Sequence, residues 1–297
     1  MMDQLPRREF LKTAAFTFAG TAIMPKTVNA LSQPVRHLGL QLYSIRDVIT
    51  KDPANILKAV AEMGYQEVEG YGYQDGKMFG TVPIAEHIKM LRDNGLSMPS
   101  SHCNFTLADF DERQKSLSDR GKRAIDDAVA MGQKYIIFPW VEENERTEVE
   151  KIAKLTAAGA AYAQKAGIRF GYHNHDFEFI QRGPDGRLLM EWLLQEIDPK
   201  LLAMEMDLYW VCFARHNPLD WFRLYPGRWE LCHAKDLAAT EKRETIEFGD
   251  GTIDFPGIFK LRKLAGLQYY IIELEHYRST PMEGVKRARA NFIKSKW

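Results

Sequence analysis

Beyond residue 36 the chain consists of short apolar runs separated by longer stretches in which apolar residues return at helical spacing. The runs fall near residues 37–43, 66–70, 97–102, 135–139, 168–173, 202–207, 231–235 and 269–275. They are apolar on both faces, as strands of a parallel sheet covered by helices must be. The stretches between them carry helix punctuation. Asp52 stands as an N-cap before Pro53 at the first helical position, and Gly64 ends that helix. Pro83 opens a helix over 84–94 that Gly95 closes. Further helices are expected over about 118–131, 148–166 and 188–196, a shorter one from Pro218, and one from Asp254-Phe255-Pro256 to near Gly266. Eight strand–helix units in succession predict an α/β protein, a (β/α)8 TIM barrel forming a single domain over residues 37–297. An open doubly wound sheet would carry a glycine-rich phosphate turn after its first strand, and Gly39-Leu40-Gln41-Leu42-Tyr43-Ser44 is no such turn.

Ionisable residues interrupt this pattern at the ends of strands five to eight, the end of a barrel that carries chemistry. Glu205 and Asp207 are two apart and share one face of their strand. A buried carboxylate needs a partner or a metal, so Asp207 is read as a metal ligand; a salt bridge from one of the two to a neighbouring strand is the plainer alternative. His233 is read as a second ligand. Lys235, on the same side, could stabilise an oxyanion or act as acid or base, unless it lies beyond the strand as a surface lysine. Glu273 and Glu275 also share a face; Glu273, nearer the apolar run, is taken as the ligand. Glu275 is left to hold a substrate hydroxyl or orient a ligand. Strand five ends in His173-Asn174-His175-Asp176-Phe177-Glu178 and stays open. Glu178 completes a Glu/Asp/His/Glu set if the chain folds back over the barrel mouth. Alternatively His173 or His175 ligates directly, or serves as an orienting group or general base. His102 adds another imidazole to the rim. The expected set is therefore Glu178, Asp207, His233 and Glu273 for metal, with His175, Lys235 and His173 for catalysis. Mainly oxygen donors favour Mn2+ or Mg2+, with Zn2+ or Co2+ as further options.

Composition narrows the partners. Forty basic and forty acidic residues give zero net charge, so a basic footprint for nucleic acid is missing. An apolar fraction of 45% builds a core easily. The three cysteines, Cys103, Cys212 and Cys232, are too few and too scattered for a disulfide framework or a thiolate zinc site, and read as buried small hydrophobes. Residues 1–30 read as a twin-arginine signal peptide: Pro6-Arg7-Arg8-Glu9-Phe10-Leu11-Lys12, a weakly apolar run from Thr13 to Met24, and small residues at Val28 and Ala30 that suit cleavage. The run falls short of the roughly 20 residues that span a bilayer. A periplasmic enzyme without a membrane span is expected; a basic amphipathic leader or a retained anchor is the alternative.

The strand ends Gly171-Tyr172-His173-Asn174-His175-Asp176-Phe177-Glu178-Phe179, Glu205-Met206-Asp207-Leu208-Tyr209-Trp210, His233-Ala234-Lys235-Asp236 and Ile272-Glu273-Leu274-Glu275-His276-Tyr277, with Gly249-Asp250-Gly251-Thr252-Ile253-Asp254-Phe255, resemble the sugar phosphate isomerase/epimerase family within the xylose isomerase-like barrels. The resemblance covers roughly residues 37–297 and implies metal-ligand roles for Asp207, His233 and Glu273. The family's usual strand-five glutamate stands where this chain has His173. Phosphodiester-cleaving relatives carry a histidine where this chain has Trp210, which speaks against a DNA-repair endonuclease. Exported members with a His-Asn-His strand look similar to enzymes of 3-keto sugars and 3-keto-glycosides.

No arginine cluster or glycine-rich cradle marks a phosphate site, so an uncharged carbohydrate is the expected small-molecule substrate. Tyr43, Tyr71, Tyr73, Phe105, Trp140 and Trp210 follow or end strands and could stack on a sugar, or simply pack the barrel. The chemistry expected is proton abstraction beside a ketone through an enediolate, with His175 or Glu178 as base. Reprotonation gives isomerisation or epimerisation; β-elimination from a 3-keto-glycoside makes the enzyme a lyase. The rival from another class is a non-catalytic carbohydrate-binding barrel.

Overall fold

The computed structural model describes residues 37–297; the leader assigned to residues 1–30 lies outside the described residues. Eight parallel strands close into a barrel: β1 His37–Gln41, β2 Glu67–Gly70, β3 Ser97–His102, β4 Tyr135–Phe138, β5 Arg169–His173, β6 Leu202–Asp207, β7 Trp229–Ala234 and β8 Tyr269–Ile272. Each strand pairs with its sequence neighbours, and β1 closes on β8 with Gly39 opposite Ile271. The predicted (β/α)8 architecture is what the chain forms. The helices that follow the strands in turn are α1 Pro53–Glu62, α2 Ile84–Asp93, α3 Asp119–Ala130, α4 Val149–Ala166, α5 Leu189–Glu196, α6 Pro218–Leu224, α7 Phe255–Phe259 and α8 Pro281–Lys294, with shorter ones at Arg46–Ile49, Leu208–Phe213 and Arg262–Ala265. Asp52 caps α1 by accepting from the Asn55 amide, and Asp254 caps α7 in the same way. Each such cap is worth about 1 kcal/mol. Among the described residues no helix is long and apolar enough to cross a membrane.

Alternation along the strands sorts their side chains into two cores. Leu202, Met204 and Met206 of β6, with Phe170 and Tyr172 of β5, pack outward against the helices. Phe170 lies so close under α4 that a Cβ added to Gly159 would sit 2.7 Å from its ring. The alternate residues Tyr135, Ile137, Ala203, Leu231, Tyr269 and Ile271 form a separate apolar plug inside the barrel. Gly171 is part of that fit, since a Cβ there would meet Ile137 Cδ1 at 2.3 Å. Cys103 and Cys232 are buried and Cys212 half-buried, all as free thiols. Three small hairpins, at 77–83, 110–117 and 236–246, lie in the loops that leave β2, β3 and β7.

Candidate metal centre and active site

The inward residue one step beyond the apolar plug is ionisable on several strands at once. Ala203 is followed on the same face by Glu205 and Asp207, Leu231 by His233 and Lys235, Ile271 by Glu273 and Glu275, and Gly171 by His173. Glu205, Asp207, His173, His233, Lys235 and Glu273 are all buried. Ligand atoms of His173, Asp207, His233 and Glu273 lie within 4.8 Å of one another. His233 Nδ1 is 2.9 Å from Glu273 Oε2, and His173 Nε2 is 3.7 Å from Asp207 Oδ2. Asn174 ties the ends of β5 and β6 together: it accepts from the Asp207 amide at 3.1 Å and its side-chain NH2 donates to the Asp207 carbonyl.

These four residues fit a divalent ion. Asp207 spends Oδ1 on the Trp210 amide, capping the short helix Leu208–Phe213, while Oδ2 is buried and makes no hydrogen bond. Buried acids also outnumber the fixed cations: Glu69, Glu205, Asp207 and Glu273 surround Lys235 and three imidazoles. Burial pushes the Asp207 carboxyl up to about 7, although Lys235 and His233 pull the other way. Burial would raise Glu273 as well, but Lys235 and His233 hold it well below the usual carboxylate range. Without an ion, two of the imidazoles take up protons to balance these acids: burial would lower both, but Glu69 and Glu205 raise His102 to about 9 and His233 above its ordinary value. A bound divalent cation would take over that role.

Glu178, the fourth ligand expected from the sequence, is not in this cluster. β5 ends at His173, and Glu178 lies in a 3-10 turn over Phe177–Phe179, outside the group of ligand atoms. There it accepts from the Tyr172 hydroxyl and the His175 amide, both at 2.8 Å. Burial raises it to about 8, against the pull of those hydrogen bonds. Of the strand-five residues it is His173 whose ring nitrogen joins the cluster, which therefore comprises two imidazoles and two carboxylates.

Beneath the four donors lies a second layer that the sequence reading largely missed. Glu69 Oε2 is 2.7 Å from His233 Nε2 and accepts from Gln41 Nε2 at 2.7 Å, while Ser100 Oγ donates to Oε1 at 2.6 Å. Glu205 Oε2 is 2.9 Å from both His102 Nε2 and His173 Nδ1. Glu205 is thus the carboxylate that bridges to neighbouring strands. His102, His173, Glu205 and His233 also bring ligand atoms within 4.8 Å of one another. In that group the ring nitrogens already meet Glu205 Oε2 and Glu69 Oε2 in hydrogen-bonded contacts, while Glu205 Oε1 is buried without a partner.

Lys235 is a buried ammonium and not a surface lysine. It lies 3.1 Å from Glu273 Oε2 and 3.5 Å from Asp207 Oδ2, and contacts Glu275. Burial would lower its pKa, but these three carboxylates raise it above its ordinary value and favour the charged form in this arrangement. His175 differs: burial and the nearby Lys235 charge lower its pKa well below normal, its Nδ1 has no hydrogen-bond partner, and its ring stands between Trp140 and Trp210. A neutral imidazole of this kind can take a proton.

Above the donors opens a cavity of about 530 Å3 bordered by His102, His173, His175, Glu273 and Glu275. Five of the six expected aromatics, Tyr43, Tyr71, Tyr73, Trp140 and Trp210, line it. Phe105 does not: it is buried against Phe138 and Phe170 between sheet and helices. Tyr71 Oη and Trp210 Nε1 are buried without a hydrogen-bond partner. The Gly249-Asp250-Gly251 turn serves the frame: the amides of Gly249 and Gly251 donate to Asp236 Oδ2, and those of Leu237 and Ile253 to Oδ1.

The family profile described as xylose isomerase-like TIM barrel matches residues 57–296. Among curated proteins none matches the sequence. Among solved structures, a sugar phosphate isomerase/epimerase from Parabacteroides distasonis is 28% identical, with a TM-score of 0.74 over 88% of this chain and 98% of that one. A D-tagatose 3-epimerase-like protein (17% identity, TM-score 0.64, 87% and 97% covered) and a 3-keto-D-glucoside 4-epimerase from E. coli (15%, 0.65, 88% and 100%) share the fold.

Proposed function

The chain belongs to the xylose isomerase-like TIM barrel family, and from that premise we propose that it is a metal-dependent isomerase or epimerase that removes a proton beside the ketone of an uncharged sugar. The observation that carries this reading is the cluster of His173, Asp207, His233 and Glu273 at the floor of an aromatic cavity. These four would hold the ion, and two imidazoles among the donors favour Mn2+, Co2+ or Zn2+ over Mg2+. When bound, a divalent ion would polarise the ketone and offset charge as it develops on the substrate oxygens. His175 takes the α-proton. Lys235 supplies a fixed positive charge beside the donors, and Trp140 and Trp210 offer faces for a sugar ring. The unpartnered Tyr71 Oη and Trp210 Nε1 suit hydroxyl groups.

An uncharged substrate is supported by the cavity wall, whose described residues include Glu273 and Glu275 but neither lysine nor arginine. The names of the structural neighbours add keto sugars and 3-keto-glucosides to the candidates. Epimerisation, isomerisation and β-elimination share one enediolate, and we assign the first two as the main activity. With the twin-arginine leader read in residues 1–30, we assign the enzyme to the periplasm.

The test is exchange of the proton beside the ketone in D2O, with 3-keto-glucosides and free keto sugars as substrates. Exchange should need Mn2+ or Zn2+ and stop on chelation. His175→Gln should lower the rate by about 10²–10⁴ while metal uptake persists. Protein-dependent exchange that ignores chelation would remove the metal from this reading, and sugar binding without exchange on any keto sugar would replace the enzyme by a carbohydrate-binding barrel.

A further inference from the structure

The two histidines of the candidate metal centre turn different nitrogens toward it. His173 presents Nε2 to Asp207 and sets Nδ1 2.9 Å from Glu205 Oε2. His233 does the opposite, with Nδ1 toward Glu273 and Nε2 2.7 Å from Glu69 Oε2. A neutral imidazole carries one N–H, and the hydrogen bond at one nitrogen decides which nitrogen keeps a lone pair. As it stands His233 has a carboxylate at both nitrogens, Glu273 Oε2 at 2.9 Å from Nδ1 and Glu69 Oε2 at 2.7 Å from Nε2. With Glu273 and Nδ1 turned to an ion, the carboxylate left at Nε2 of His233 and the one at Nδ1 of His173 specify opposite tautomers.

Both carboxylates are placed to do this firmly. Glu69 and Glu205 are completely buried, come from β2 and β6, and take no part in the upper donor set. Gln41 and Ser100 hold the two oxygens of Glu69, which leaves its Oε2 edge toward His233. His102 reaches both acids through one nitrogen, 2.9 Å from Glu205 Oε2 and 3.1 Å from Glu69 Oε2, and so locks them to each other. The ring of His102 stacks on His233 at 5.3 Å, with an interplanar angle of 5°.

We propose that Glu69 and Glu205 are positioning residues that fix His233 and His173 in opposite tautomers, so that Nδ1 of one ring and Nε2 of the other stay free for one divalent ion. The proposal rests on the reading of His173, Asp207, His233 and Glu273 as ligands, and adds residues that the reading does not use. It gives β2 and β3, which contribute none of the four donors, a role in setting metal affinity.

The test uses the whole folded protein and Zn2+ as the probe. Wild-type protein loaded with Zn2+ should show, in long-range ¹H–¹⁵N spectra of the imidazoles, an Nε2–H tautomer for His233 and an Nδ1–H tautomer for His173. Glu205→Gln keeps one acceptor oxygen and should weaken Zn2+ binding about tenfold; Glu205→Met keeps the volume, removes the acceptor and should weaken it about a hundredfold. Glu69→Gln should act like Glu205→Gln, but with the spectral change at His233. Melting of the metal-free variants shows whether each still folds, and the spectra of the wild type decide the question if one does not. Zn2+ binding by wild type with swapped tautomers, or with unchanged affinity in folded Glu205→Met, would overturn the positioning role alone. Loss of all Zn2+ binding in Glu205→Gln, with none lost in Asp207→Asn, would make Glu205 a ligand and also overturn it. No Zn2+ uptake by wild type would overturn the ligand reading together with this inference.

Discussion

The lower and upper halves of the barrel interior come from the same strands, yet they do opposite things. Below, Tyr135, Ile137, Ala203, Leu231, Tyr269 and Ile271 interlock as an apolar plug into which Gly171 fits only because it has no side chain. Above, one step along the same faces, the side chains are Glu205, His233, Glu273 and His173, buried as deeply but held by charge. The plug stabilises by removing apolar surface from water, at about 25 cal/mol per Å2. The upper layer works against stability unless every charge is matched, and Asp207 Oδ2 faces the Lys235 ammonium at 3.5 Å but makes no hydrogen bond. Stability and chemistry are thus separated by height along a strand and not by element.

Three substitutions probe that separation. The largest effect is expected from Asp207→Asn in the upper half. Proton exchange should fall by at least about 10²–10³-fold, because a charged donor is lost where charge develops. The melting temperature of the metal-free protein should stay the same or rise, since a buried carboxyl pushed up to about 7 is replaced by a neutral amide. A matching loss of stability would show that the upper half also carries the fold. In the lower half, Leu231→Ala should cost about 2–5 kcal/mol in denaturant unfolding. The exchange rate of the remaining folded enzyme should be unchanged; a large rate loss would mean the plug tunes the site.

The smallest effect concerns Glu178, which lies outside both halves. Its folded pKa, about 8, is raised above its ordinary value of 4.5. The native state therefore binds a proton more tightly than the unfolded chain, and stability falls as pH rises from about 4.5 toward 8. Glu178→Gln should remove roughly 2 kcal/mol of that slope between about pH 5 and 7 without weakening Zn2+ uptake. Weakened uptake would return Glu178 to the metal site.

Much of this was legible in the sequence because a barrel repeats itself. The β-rich runs and their caps announce the strands, and a two-residue period puts Asp207 with Glu205 and Glu273 with Glu275 on single faces. Glu178 was misplaced because strand periodicity says nothing about the turn that follows His173, and there a 3-10 turn re-aims the chain. Glu69 was overlooked for another reason. Its partner His233 is 164 residues away, and no local pattern ties Glu67-Val68-Glu69-Gly70 to strand seven. The available hint was parity, because Glu69 pairs in register with Gln41 and both occupy inward positions of neighbouring strands. His102 was legible as an imidazole on the rim, but not its link to Glu205 across 103 residues.

Arg46 joins the two edges that meet when β1 finds β8. Its guanidinium donates to the Tyr43 carbonyl on the β1 side and to the Tyr277 hydroxyl and Glu275 carbonyl on the β8 side. The loop it secures carries Glu275, the partner of Lys235. That loop follows the eighth strand, so a barrel lacking β8 would leave Lys235 with part of its neutralising shell unmade. The charge balance at the mouth thus depends on the seam that closes the barrel.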